Sequence, residues 1–108
     1  MLSSLAGSEL GIWIAHGEGK FELAQPVEDY NVVLSYSYDA YPGNPNGSDA
    51  NIAGLVSDDG RHLAMMPHLE RAFYPWQCAN YPVDKLGDDC TPWLEAFVNA
   101  KNWVEKQQ

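Results

Sequence analysis

Basic residues are scarce in this chain: 6 Lys and Arg stand against 15 Asp and Glu, a formal net charge of −9 over 108 residues. A nucleic-acid footprint needs the opposite sign, because phosphates are held by cations. Cysteine is scarce too. Cys78 and Cys90 are the two present, too few for a disulfide scaffold. One bridge between them is open on spacing, but without a secretion signal two free thiols in a reducing cytosol are expected. Residues 1–5 lack the basic start and long apolar stretch of a secretory leader. No apolar run approaches the ~20 residues of a membrane span. Neither nucleic acid nor membrane is therefore expected as a partner, the expected location is cytoplasmic, and the length supports one domain at most.

What is present argues for a folded chain. At 45% apolar residues with 4 Trp and 6 Tyr, the sequence is no disordered acidic tail. Its core is modest, since a chain of this size buries only about two-thirds of its unfolded surface. Gly11-Ile12-Trp13-Ile14-Ala15 is a short apolar run that reads as a buried strand, with Phe21-Glu22-Leu23 as its returning partner. Residues 32–38 are β-branched and aromatic and read as another strand. The Pro- and Gly-rich stretch 41–51 is a loop. Residues 52–57 and 61–66 read as two strands, with Asp59-Gly60 predicting a type I′ hairpin between them. The segment 74–89 is irregular, with Trp76, Tyr81 and Trp93 as expected anchors. Thr91-Pro92 starts a helix, a hydroxyl cap followed by proline at the first position. Trp93, Leu94, Phe97, Val98 and Val104 form one stripe at helical spacing, expected to pack as core.

Chemistry-bearing residues are few. His68 and Glu70 stand at i, i+2 past a strand end, and in extended backbone that spacing puts both on one side. A carboxylate beside an imidazole fixes its tautomer and raises its basicity, which a general base needs. A surface His beside a surface Glu is the plain alternative. His16 and Glu18 repeat the spacing between glycines, which either admit a ligand close to the backbone or simply make a turn. His62 reads as an exposed strand residue. The spacings among His16, His62, His68, Cys78 and Cys90 match no common zinc pattern, so no metal site is expected. The surroundings of Cys78 and Cys90 lack the small residues of a nucleophile turn, and Asp88 and Asp89 oppose a thiolate at Cys90. The loop around Asn44 and Asn46, with Tyr36, Tyr38 and Tyr41 nearby, leaves a second function class open: a non-catalytic module binding a carbohydrate or a protein.

Three motifs in order carry a family resemblance: Ala15-His16-Gly17-Glu18-Gly19, Asn44-Pro45-Asn46-Gly47-Ser48 and Met65-Met66-Pro67-His68-Leu69-Glu70-Arg71. Together they resemble the C-terminal end of the phosphoribosylformylglycinamidine synthase family of purine biosynthesis, in the second half of its class I glutamine amidotransferase domain. The resemblance spans nearly the whole chain. It implies an α/β fold: the C-terminal half of a flavodoxin-like class I glutaminase domain, mixed short strands with one C-terminal helix. Residues 1–108 would form a partial domain whose nucleophile-bearing half is absent, for no Gly-x-Cys-x-Gly elbow occurs. The resemblance implies catalytic roles for His68 and Glu70 in a Cys–His–Glu triad, with Leu69 where the family's usual Pro-His-Pro-Glu has its second proline. His16, Asn44 and Asn46 would line or brace the glutaminase site, as substrate-binding residues, or its domain interface. The expected partners are glutamine, the upstream half of the glutaminase domain and a synthetase domain. No cofactor is expected in this segment; ATP and magnesium would bind the synthetase domain of the parent protein. A fragment of this kind is expected to be inactive alone and to self-associate through exposed Leu2, Leu5, Trp13 and strand faces. A separate ammonia-supplying glutaminase subunit is the related alternative.

Overall fold

The computed structural model describes all residues 1–108, which divide into two compact units: Ile14–Pro67, and Met1–Trp13 together with His68–Gln108.

The Ile14–Pro67 unit is built on a three-stranded sheet of order β1-β2-β3, with β1 Asn31–Ser35, β2 Ile52–Val56 and β3 Leu63–Met65. Both pairings are antiparallel; Leu55 faces Val32 on one side and Ala64 on the other. Lying between two neighbours buries β2, where Ile52 is 0% exposed and Ala53 1%. Gly54 sits in that strand because a side chain would press on Leu34 Cβ at 3.0 Å and Met65 Cβ at 3.4 Å. The edge strand β1 is irregular: its register shifts on either side of Leu34, and Val32 and Val33 stay exposed.

Two expectations fail here. The run 11–15 and its partner 21–23 form no strands. A strand exists only where a neighbour takes up its backbone groups. Phe21 finds just an isolated pairing, its N–H on Ser48 Oγ at 3.0 Å and its carbonyl on the Asp49 N–H at 3.0 Å. The hairpin forms where expected, but not as type I′. The Gly60 N–H donates to Ser57 O at 2.9 Å, so the turn lies one residue earlier, and Gly60 alone takes positive φ, +72°. The sheet is antiparallel throughout.

The other unit is mostly irregular. Short 3-10 turns at Ser3–Leu5, Leu69–Arg71, Pro75–Gln77 and Val83–Lys85 accompany one helix, α1 Leu94–Lys106. The helix starts later than the sequence predicts, at Leu94 with Trp93 as its N-cap and no side-chain cap; Thr91 Oγ1 accepts from the Trp93 N–H at 3.3 Å and donates to Ala72 O at 2.6 Å, which holds the turn before it. Trp93, Ala96, Leu69 and Ala72 make the small core. The helix packs on Ser3–Leu5, where Asn99 donates to Met1 O and Ser4 Oγ. The apolar stripe is only half covered, for Phe97, Val98 and Val104 remain 39–52% exposed. One three-residue turn is too small to cover the whole face. Trp76, an expected anchor, is 78% exposed, whereas Trp93 is buried and its Nε1 donates to Gly11 O at 3.0 Å.

Candidate active site

His68 and Glu70 are brought together. His68 is extended at φ −104°, and the chain then winds into the Leu69–Arg71 turn. That winding, rather than the extended spacing expected, swings the carboxylate back to the ring, with His68 Nδ1 to Glu70 Oε1 at 2.8 Å. Leu69 is the buried pin of the turn, 3% exposed. A carboxylate can only accept here, so Nδ1 carries the proton and Nε2 keeps its lone pair for a proton from elsewhere. The hydrogen bond from His68, helped by the backbone N–H of Glu70 itself, holds the Glu70 carboxyl below the usual carboxylate range. Both side chains are part-exposed, 43% for His68 and 59% for Glu70.

The other unit holds His16, Asn44 and Asn46. His16 does not pair with Glu18. Its Nδ1 lies 3.3 Å from Met66 O, and its Nε2 lies 3.4 Å from Tyr36 Oη. A carbonyl cannot donate, so Nδ1 carries the hydrogen and Nε2 accepts from the Tyr36 hydroxyl. Burial pushes the Tyr36 phenol up, which keeps it a donor. Asn46 donates to Gly17 O and Gly19 O, both at 2.8 Å, closing the glycine loop. Asn44 is buried and fully engaged: it donates to Ser48 O and Asn51 Oδ1 and accepts from the Ser48 N–H, each at 2.9 Å. Loop 41–51 is thus cross-braced by its own amides. The sequence places Tyr36 beside the loop and Met66 in a motif, but gives neither as a partner of His16. Tyr36 follows β1 in the pattern of a strand residue, and nothing in the residues around Met66 marks its carbonyl.

Cys78 and Cys90 are unbridged. Burial pushes the Cys78 thiol up, away from the thiolate a nucleophile needs. Cys78 lines two adjoining clefts of about 220 and 260 Å³, both formed with Gly11 and Asn80, and neither touches His68 or Glu70. No three His, Cys, Asp or Glu side chains assemble as metal ligands. No helix is long and apolar enough to cross a membrane.

Comparison with known proteins adds the context this geometry lacks. A family model described as a CobB/CobQ-like glutamine amidotransferase domain matches residues 1–104. The chain is similar to an Arabidopsis thaliana protein named "Probable phosphoribosylformylglycinamidine synthase, chloroplastic/mitochondrial", 46% identical over 97% of this chain and 8% of that protein. It is similar to the Homo sapiens phosphoribosylformylglycinamidine synthase, 43% identical over 96% of this chain and 9% of the relative. The Drosophila melanogaster enzyme of the same name is 41% identical over 98% and 9%. The chain thus spans under a tenth of the length of these three relatives. No solved structure gives a significant match.

Proposed function

Because the chain belongs to the CobB/CobQ-like glutamine amidotransferase domain family, we propose that it supplies the general base of a glutaminase site in a phosphoribosylformylglycinamidine synthase. The observation that carries this reading is the 2.8 Å contact between His68 Nδ1 and Glu70 Oε1, which leaves Nε2 as the basic atom. Residues 1–108 act as a partial class I amidotransferase domain of flavodoxin-like architecture, completed by an upstream half that brings the nucleophilic cysteine. The part-exposure of His68 and Glu70 supports this, since the completed site would cover them.

The chemistry follows the triad logic. His68 Nε2 takes the thiol proton of the upstream cysteine, and the thiolate attacks the side-chain amide of glutamine. The carbon–nitrogen bond breaks, and His68 gives its proton to the departing ammonia. Water then attacks the thioester with His68 as base, releasing glutamate and restoring the thiol. Glu70 holds the ring in place and stabilises its cationic form. The ammonia serves a synthetase domain, where ATP activates formylglycinamide ribonucleotide for conversion to the amidine. ATP and magnesium would bind that domain. His16, Asn44 and Asn46 brace the loops of this segment. The expected location is a reducing one, cytoplasmic by this reading and supported by two unbridged thiols. The rival binding-module reading loses its loop amides, because Asn44 spends all its hydrogen bonds inside the loop.

Glutamate release tests the proposal, measured on this chain alone and after co-refolding with the preceding segment of its gene. Silence alone, activity on complementation and loss in His68→Ala are expected. Activity from the isolated chain would sink the reading, as would a complemented site indifferent to His68.

A further inference from the structure

The glycine loop 16–19 has no part in the chemistry above, yet its contacts converge on one residue. Met66 is held from three directions inside its own unit. Its N–H donates to Ala53 O at 2.9 Å, and its carbonyl accepts from His16 Nδ1 at 3.3 Å. Its methyl group lies over Gly19, where an added Cβ would collide with Met66 Cε and stand 3.1 Å from His16 O. The loop is itself fastened. The Gly19 N–H donates to His16 O at 2.7 Å, Asn46 donates to both Gly17 O and Gly19 O, and Tyr36 holds the far nitrogen of the His16 ring. Met66 is followed by Pro67, whose ring fixes φ, and then by His68.

We propose that His16 and Gly19 are positioning residues: they clamp Met66 and so fix the point from which the chain enters the His68–Glu70 turn. The inference rests on the reading of His68 as general base. Its physical basis is the narrow tolerance of proton transfer, for which a displacement of about 1 Å costs on the order of 100-fold in rate. Neither His16 nor Gly19 touches substrate in this scheme. Gly19 matters for the space it leaves: an added Cβ would push the flexible Met66 methyl aside and crowd His16 O at 3.1 Å, shifting the loop that carries the His16 ring; its backbone does not take the positive φ that Gly17 adopts at +49°.

The test uses the full-length protein that carries this segment, with glutamate release, KM for glutamine and thermal midpoint measured together. His68→Ala is expected to abolish glutamate release. His16→Ala and Gly19→Ala are expected to lower kcat about 10- to 100-fold, with KM and thermal midpoint unchanged. His16→Asn is expected to restore most of the rate, because its amide N–H stands where Nδ1–H stood and can still reach Met66 O. Glu18→Gln is expected to match wild type. The clamp is overturned if His16→Ala and Gly19→Ala keep wild-type kcat, or if His16→Asn is as slow as His16→Ala. It is also overturned if Glu18→Gln falls alongside His16→Ala, which would make the pair a chemical dyad, or if KM alone rises, which would make His16 a substrate contact. A kcat loss that merely tracks a lowered thermal midpoint counts against it as well. Should Gly19→Ala fail to fold, the two His16 variants decide. If His68→Ala retains activity, the underlying reading falls and the clamp with it.

Discussion

Asn44→Ala tests how loop 41–51 is held. The side chain makes three hydrogen bonds, each 2.9 Å, and two of them are to the backbone of Ser48, itself only 6% exposed. Truncation to alanine strands the Ser48 N–H in a place water hardly reaches; Ser48 O keeps the Asn51 N–H at 3.3 Å, and Asn51 Oδ1 is less enclosed and can turn outward. A stranded buried donor costs about 1–3 kcal/mol. For a unit of this size that lowers the melting midpoint by on the order of 5–20 °C. Far-UV circular dichroism gives the midpoint, and hydrogen exchange at the Ser48 amide reports the site directly. All four tryptophans, Trp13, Trp76, Trp93 and Trp103, lie in the other unit, so their fluorescence should lag the change. Asn44→Asp sharpens the test. It keeps the shape and the bond from the Ser48 N–H, but sets a carboxylate oxygen against Ser48 O and Asn51 Oδ1. It should be destabilised comparably. An Asn44→Ala loss within about 0.5 kcal/mol, or an Asn44→Asp as stable as wild type, would refute the argument.

Three further outcomes are expected. Thr91→Val keeps volume but leaves Ala72 O and the Trp93 N–H without their hydroxyl partner, so unfolding in urea should show a loss of about 1–3 kcal/mol; an unchanged midpoint would mean the hydroxyl is dispensable. Removing the ring in His68→Ala should let the Glu70 carboxyl rise toward the ordinary carboxylate range, read by an NMR pH titration. Because its folded pKa is depressed, the pair stabilises the fold above the ordinary range and loses that contribution as pH falls through the lower value; a Glu70 titration that does not move would contradict the pairing. Cys78, its thiol raised by burial, should react with iodoacetamide at pH 8 more slowly than an unstructured cysteine peptide, and faster reaction would show the thiol to be activated.

Residues whose neighbours are close in sequence were the legible ones. The β2–β3 hairpin follows from two apolar runs and a glycine between them, although the turn settled one residue from the type I′ position. A helix after Thr91-Pro92 is readable from local signals, but it begins at Leu94, where Trp93 is the N-cap and no side chain caps it. The run 11–15 misleads because its apolar character says that it wants covering, not that a pairing strand stands beside it; Trp13 and Ile14 remain exposed at 51% and 41%. Phe97, Val98 and Val104 fail for the same reason. At the candidate site, the spacing of His68 and Glu70 was informative, but the 3-10 turn that joins them was not, since Leu69 acts through burial. The partners of His16 were illegible because Met66 contributes a carbonyl, which every residue has.

The contacts from Trp93 to Gly11, and from Asn99 to Met1 and Ser4, bear on how the chain is made. The Asn99 bonds join residues 98 and 95 positions apart. At a synthesis rate of about 5–20 residues per second, the first turn waits several seconds for the helix that receives it. Until then its polar groups have only water, and the loop that must close is almost as long as the chain. The Ile14–Pro67 sheet needs nothing beyond residue 67 to complete its strands and so can form first. Proteolysis during synthesis should therefore find residues 1–13 still open to cleavage at a stage when the Ile14–Pro67 sheet is already protected.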